Sequence, residues 1–196
     1  MKKGLIVASL EHRIRPMLLS VPGITPERFI QIYSRTRNWF LDMLATCNPE
    51  VEAPKHEVNV CGVKFRNDLG NAAGLDKDGK LLAFHYLLGA GFAVVGTVLS
   101  EPHQGNIIQA FGMPCNPWTP LPHTGAAINT LGLPSHGVDY VVENIRSFRD
   151  AFEPVDFPIG ASVMGHPKHK DEKTKLEGIM YCLDRLFPYV DFIEVN

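Results

Sequence analysis

From residue 58 onward the chain alternates between short apolar runs and amphipathic helical stretches, and nothing constrains its fold more than that alternation. "LGNAAG" is followed by "KLLAFHYLLGAG", which Gly89 and Gly91 close. "FAVVGT" is followed, after a long gap, by "VDYVVENIRSFRDAF", and "FPIGASVMG" by "EKTKLEGIMYCLDRLFPYV". "DFIEVN" then opens a further strand. Apolar strands joined by helices imply a parallel sheet, because a parallel pair needs a long crossover connection and a helix supplies one. Four βα repeats can be counted, the last without its helix. That is half of a (β/α)8 barrel, which takes about 250 residues. An open doubly wound sheet is the other architecture that can stop on a strand.

The first 57 residues follow different rules. "LIVASLEHRIRPMLL" reads as a helix broken at Pro16. A second helix starts with Thr25 as N-cap, Pro26 in the first turn and Glu27 behind it. Phe29, Tyr33, Thr36, Phe40 and Met43/Leu44 then recur at helical spacing, with Arg28, Arg35 and Arg37 off the stripe. Two readings stay open, a helix packed on its own domain and a helix lying on a membrane surface. Residues 47–57, with prolines and acids but no periodicity, read as a linker, and "VNVCGVKF" as a short hairpin turning at Cys61-Gly62. Residues 98–136 read as one long, proline-rich irregular stretch. The expected organisation is a helical extension over 1–46, a linker over 47–57 and the barrel half over 58–196.

A formal net charge of -2 argues against a nucleic-acid partner. The charge is unevenly spread: residues 1–46 hold seven Lys and Arg against three Asp and Glu, and the remainder twelve against eighteen. A basic segment on an acidic body fits a surface-binding element. No apolar run approaches the length of about 20 residues that crosses a bilayer, and "GLIVASL" is too short and lacks a cleavage-like site for a signal peptide. Cys47, Cys61, Cys115 and Cys182 show no pairing pattern and read as free thiols in a reducing compartment. His166 and His169 in "HPKH" read as a solvated loop, and no metal is expected.

Chemistry is expected where strands end, since α/β folds place their sites at the carboxyl ends of parallel strands. In "NAAGLDKDGK", Ala72, Ala73 and Gly74 lack bulk, so a planar ring or a phosphate can rest on their backbone, and Lys77 follows as a cation. Gly96-Thr97 ends "VVGT" with backbone access and a hydroxyl. Asn129 precedes the turn Leu131-Gly132-Leu133, and Asn196 ends "FIEVN"; each amide both donates and accepts. Singly, each has an ordinary structural explanation. As a series they resemble the N-terminal part of the dihydroorotate dehydrogenases, specifically the membrane-associated, quinone-using class. The resemblance is carried by "LGNAAGLDKDGK", "GFAVVGTV", "GN" at 105–106, "AINTLGL" with "SHG" behind it, and "DFIEVN". The helical extension with Pro-Glu-Arg at 26–28 also matches that class.

The resemblance implies an FMN-dependent barrel that oxidises dihydroorotate to orotate in pyrimidine synthesis and passes the electrons to a quinone. It also implies a peripheral membrane protein on the cytoplasmic face of the inner membrane, or on the mitochondrial inner membrane in a eukaryote. It assigns Ala73, Gly74, Lys77, Thr97, Ser162 and Asn196 to the flavin, and Lys77, Asn129, Leu131, Gly132, Leu133 and Asn196 to the substrate. It places the catalytic base, a serine, a few residues beyond Asn196, so the 196 residues alone are expected to bind FMN poorly and to turn over nothing. Three positions depart from the family pattern. Ser162 stands where an Asn is usual, Pro134 replaces an Asn, and "AFGMPCNPWTPLP" replaces the Phe-Arg-Leu-Pro run that borders the quinone tunnel. These leave two alternatives, an FMN barrel acting on another cyclic substrate and a flavin-free, non-catalytic relative.

Overall fold

A computed structural model describes residues 3–49, 51–52, 54, 56–152 and 156–196. Met1 and Lys2 of the expected extension, and Glu50, Ala53 and Lys55 of the expected linker, lie outside the described residues. The chain divides into two compact units, one of residues 1–47 with 104–134, the other of residues 48–103 with 135–196. Residues 104–134, counted with the barrel half on sequence, thus group with the N-terminal helices.

The first unit contains α1 (Lys3–Leu18), α2 (Pro26–Ala45) and two hairpins, β5 (Ile108–Ala110) with β6 (Met113–Cys115) and β7 (Trp118–Pro120) with β8 (Ala127–Asn129). The hairpins correct the expectation of irregular chain over 98–136. Their three-residue strands are too short to show alternation, and Pro114 and Pro120 hide them. Pro16 does not break α1, which runs on to Leu18. Only two helical residues follow it, so the N–H that proline lacks costs one bond in a last turn that frays in any case. Thr25 caps α2 as expected, its Oγ1 accepting from Arg28 N–H at 3.3 Å. Phe29, Tyr33 and Ser34 are the buried residues of α2. Ser34 anchors β7: its hydroxyl donates to Trp118 C=O and accepts from Trp118 N–H, both at 2.9 Å. Tyr33 packs at a tilt against Phe29 and Trp118 and donates its hydroxyl proton to Glu11, which also holds Arg15. Part of the α2 stripe is therefore an internal packing surface.

The second unit is built on a parallel four-stranded sheet in the order β10 (Phe192–Val195), β9 (Ile159–Val163), β4 (Phe92–Val98), β3 (Gly70–Asp76). The antiparallel hairpin β1 (Val58–Val60) and β2 (Val63–Phe65) turns at Cys61-Gly62 as expected. The helices are α3 (Leu82–Leu87), α4 (Val138–Phe152) and α5 (Glu172–Leu186). Registered residues of parallel strands share a face, so the pairings separate the two sides of the sheet. One side carries Ala93, Val95, Ile159, Ala161 and Val163, and it meets Leu82 of α3, Val138, Val141, Val142, Ile145 and Phe148 of α4, and Cys182 and Leu186 of α5 in one buried core. The α4 residues recur at the 3–4 spacing of an amphipathic helix, and each such side chain contributes about 1.5–3 kcal/mol on burial.

The other side carries Phe92, Val94, Gly96, Gly160, Ser162, Phe192 and Glu194. Near the amino ends of the strands Phe92 and Phe192 pack with Phe65 of the hairpin, their ring centroids 5.3–6.3 Å apart. Gly70 and Gly160 make room for the rings: a Cβ on Gly70 would stand 2.6 Å from Phe92, and one on Gly160 would strike Phe192. The helix-free face is thus apolar and plugged at its amino end and polar at its carboxyl end. Among the described residues of this unit, α3, α4 and α5 all pack against the same face of the sheet.

Candidate functional site

The stretch "NAAGLDKDGK" forms a bulge. The β3–β4 register breaks between Asn71 and Asp76, so the residues between them leave the ladder. The Asn71 carboxamide stands in for the missing main-chain partner, donating through Nδ2 to Val94 C=O at 2.8 Å and accepting from Val94 N–H at 3.3 Å. At the far end of the bulge the buried Asp76 carboxylate accepts from Gly79 N–H at 2.9 Å and Leu81 N–H at 3.0 Å, which ties the turn into α3. Burial pushes the Asp76 carboxyl up to about 6, against the pull of those two bonds. Between these anchors Ala73 and Gly74 are half-buried. Gly74 has φ +103°, and no atom lies within 4 Å of the place where a Cβ would stand. The small residues therefore leave an open backbone seat, which a planar ligand fits. Lys77 follows, half-buried.

At the ends of β4 and β10, on either side of β9, Thr97 and Asn196 come together: Asn196 Nδ2 donates to Thr97 Oγ1 at 3.1 Å, and Asn196 N–H holds Val163 C=O at 2.9 Å. Thr97 is buried and Asn196 exposed, so the threonine orients the amide while the amide stays accessible. Ser162 is not at the surface expected for a flavin contact. It is fully buried, and its hydroxyl donates to Glu194 Oε1 at 2.9 Å across the β9–β10 register. The exposed polar group at that level is Glu194, which the sequence disguises as an ordinary strand residue.

The remaining expected residues lie in the other unit. Asn129 ends β8, exposed, and its Oδ1 accepts from Leu131 N–H at 3.3 Å. Gly132 and Leu133 follow with φ +69° and +59°. The "GN" pair clamps this turn: Asn106 N–H donates to Leu131 C=O and Asn106 Nδ2 to Thr130 C=O, each at 2.8 Å. A Cβ on Gly132 would stand 2.6 Å from the Asn106 side chain, so the close approach requires glycine. The same unit holds a groove of about 620 Å³ lined by Pro22, Ile24, Arg28, Ile32 and Phe111.

His103, His166 and His169 cluster in the loops after β4 and β9, with ring centroids 5.1 and 5.2 Å apart, and His169 Nε2 lies 3.1 Å from Glu101 Oε1. Burial holds the His166 imidazole below its ordinary pKa. Among the described residues no group of three or more His, Cys, Asp or Glu is placed to hold a metal ion.

The family model for dihydroorotate dehydrogenase matches residues 55–196. A Burkholderia cenocepacia protein named dihydroorotate dehydrogenase (quinone) is 33% identical over 154 residues, which cover 76% of this chain and 40% of that protein. A Yersinia enterocolitica protein of the same name is 32% identical over 150 residues, 73% of this chain and 39% of that one. The chain thus spans about two fifths of the length of these curated relatives. Among solved structures, the dihydroorotate dehydrogenase of Eimeria tenella in complex with ferulenol shares the fold with a TM-score of 0.67, at 22% identity, over 93% of this chain and 46% of that one.

Proposed function

The chain belongs to the dihydroorotate dehydrogenase family, and on that premise we propose that it supplies the first half of an FMN-binding (β/α)8 barrel that oxidises dihydroorotate to orotate in pyrimidine synthesis, with a quinone as acceptor. The observation that carries the reading is the carboxyl end of the sheet. The open seat at Gly74 and the Thr97–Asn196 bond lie at the strand ends where barrels hold their ligands.

FMN, when bound, supplies hydride acceptance. The rest belongs to the chain's own residues. Ala73 and Gly74 offer flat backbone for the ring, and Lys77 offers positive charge near developing negative charge. Asn196, oriented by Thr97, fixes ring position through an amide that donates and accepts. The resemblance assigns Asn129 and the Leu131–Leu133 turn, which Asn106 clamps, to the substrate as well. Holding substrate and cofactor in near-attack geometry is the protein's main contribution to such a step. The proton leaves to the base that the resemblance places beyond Asn196.

The quinone and the membrane are assigned to the other unit. Ile6, Leu10, Ile14 and Met17 are exposed at spacings that put them on one face of α1, a surface suited to the boundary of a bilayer. No described helix is long and apolar enough to cross a membrane; peripheral attachment at the inner membrane is what the resemblance implies. The groove beside Arg28 and Phe111 is the candidate berth for the quinone head.

The test is the full-length protein incubated with FMN. It should retain flavin absorbance, bleach on anaerobic addition of dihydroorotate and reoxidise with a soluble quinone, and N196A should lose the bleaching. Bound flavin that dihydroorotate does not bleach points to another cyclic substrate; protein that takes up no flavin is the non-catalytic relative.

A further inference from the structure

The helix-free face of the sheet carries one ionisable side chain among the registered positions, Glu194. It pairs in register with Ser162, which pairs with Gly96, so the three stand side by side on that face at the polar end. Ser162 is fully buried, and a carboxylate can only accept, so the serine proton is committed to Glu194 Oε1. Among the described residues Oε2 of Glu194 makes no hydrogen bond, and the side chain is exposed. Asn196 lies two residues along the same strand, hence on the same face. Where the family pattern has an amide reaching from β9, this chain has a hydroxyl that stops short and a carboxylate that reaches from β10.

We propose that Glu194, anchored by Ser162, is a further ligand-contacting residue of the site, its free carboxylate oxygen taking a ring imide N–H. The inference rests on the flavin and dihydroorotate reading above. An acceptor-only, charged group selects a donor, and the imide N–H is the donor that FMN and dihydroorotate share. Ser162 is a positioning residue in this scheme, because it touches Glu194 and not the ligand.

The experiment uses the full-length protein and compares wild type with E194Q, E194A and S162A. FMN is titrated into the apoprotein, orotate into the FMN-loaded protein, and the flavin potential is followed by reductive titration. E194A should weaken one ligand about tenfold, the size of one charge-assisted hydrogen bond, and the arm that moves names the ring. E194Q keeps the shape and removes the charge, so it should raise the potential of bound flavin; a purely structural role would leave the potential unchanged. S162A should reproduce part of the E194A loss in the same arm. If E194A fails to fold, the near-isosteric E194Q carries the same readouts. FMN and orotate affinities and a potential all unchanged in E194Q and E194A overturn the assignment while the flavin reading stands. Wild-type protein that takes up no FMN overturns the flavin reading, and the role of Glu194 falls with it.

Discussion

Replacing Asn71 with alanine should unseat the β3 bulge that carries Gly74, at a cost that can be worked from two bonds. The carboxamide satisfies both the N–H and the C=O of Val94, at 3.3 and 2.8 Å. Val94 is only 5% exposed, so neither group gains water freely once the amide is gone. A buried polar group left unpaired costs about 1–3 kcal/mol, and the longer bond belongs at the lower end. The sum is about 2–4 kcal/mol, a large fraction of the stability of an ordinary domain, about 5–15 kcal/mol. Urea unfolding of the full-length protein measures it as a lower midpoint at unchanged slope. N71D sharpens the test: it can still accept from Val94 N–H, but it aims a carboxylate at Val94 C=O, so it should be no better than N71A. FMN affinity should fall with stability in both, since Gly74 is placed by the same anchor. An N71A protein within about 0.5 kcal/mol of wild type, the range of an ordinary surface change, would refute the argument.

Two further perturbations follow from buried groups. Asp76 has its pKa raised from 3.8 to about 6, so the folded state holds its proton longer; its contribution is present below about pH 4 and is lost as pH rises through 6. His85 has its pKa lowered by burial from 6.5 to about 4, so its contribution is present above 6.5 and is lost as pH falls through 4. The slopes oppose each other between about pH 4 and 6, and D76N should unmask the His85 slope as a melting temperature that falls steadily on acidification. An acid slope in D76N no steeper than wild type would contradict the pairing. Gly160→Ala should destabilise by about 1–3 kcal/mol, because the new Cβ strikes Phe192, whose ring is held by Phe65 and Phe92 and cannot swing away; a thermal melt matching wild type would show that the aromatic plug yields.

The parts of the molecule that were legible in the sequence are those written in local patterns. Strand–helix alternation, the Thr25 cap and the Cys61-Gly62 turn depend on neighbours within a few residues, and each has its expected form. The parts that were not legible depend on register. Asn71 looks like any polar residue at a strand start, and its role exists only because Val94, 23 residues later, lies opposite a bulge. Ser34 looks like a filler in a helix until Trp118, 84 residues on, reaches it. Ser162 and Glu194 make the strongest case. A serine in place of an amide reads as a shortened contact, and a glutamate in "FIEVN" reads as a solvated strand position. Side by side on parallel strands they become one unit, with the buried hydroxyl fixing the exposed carboxylate. A departure from a family pattern at one position therefore has to be judged with the residue that the sheet places beside it, because the reach lost on one strand can be restored from the next.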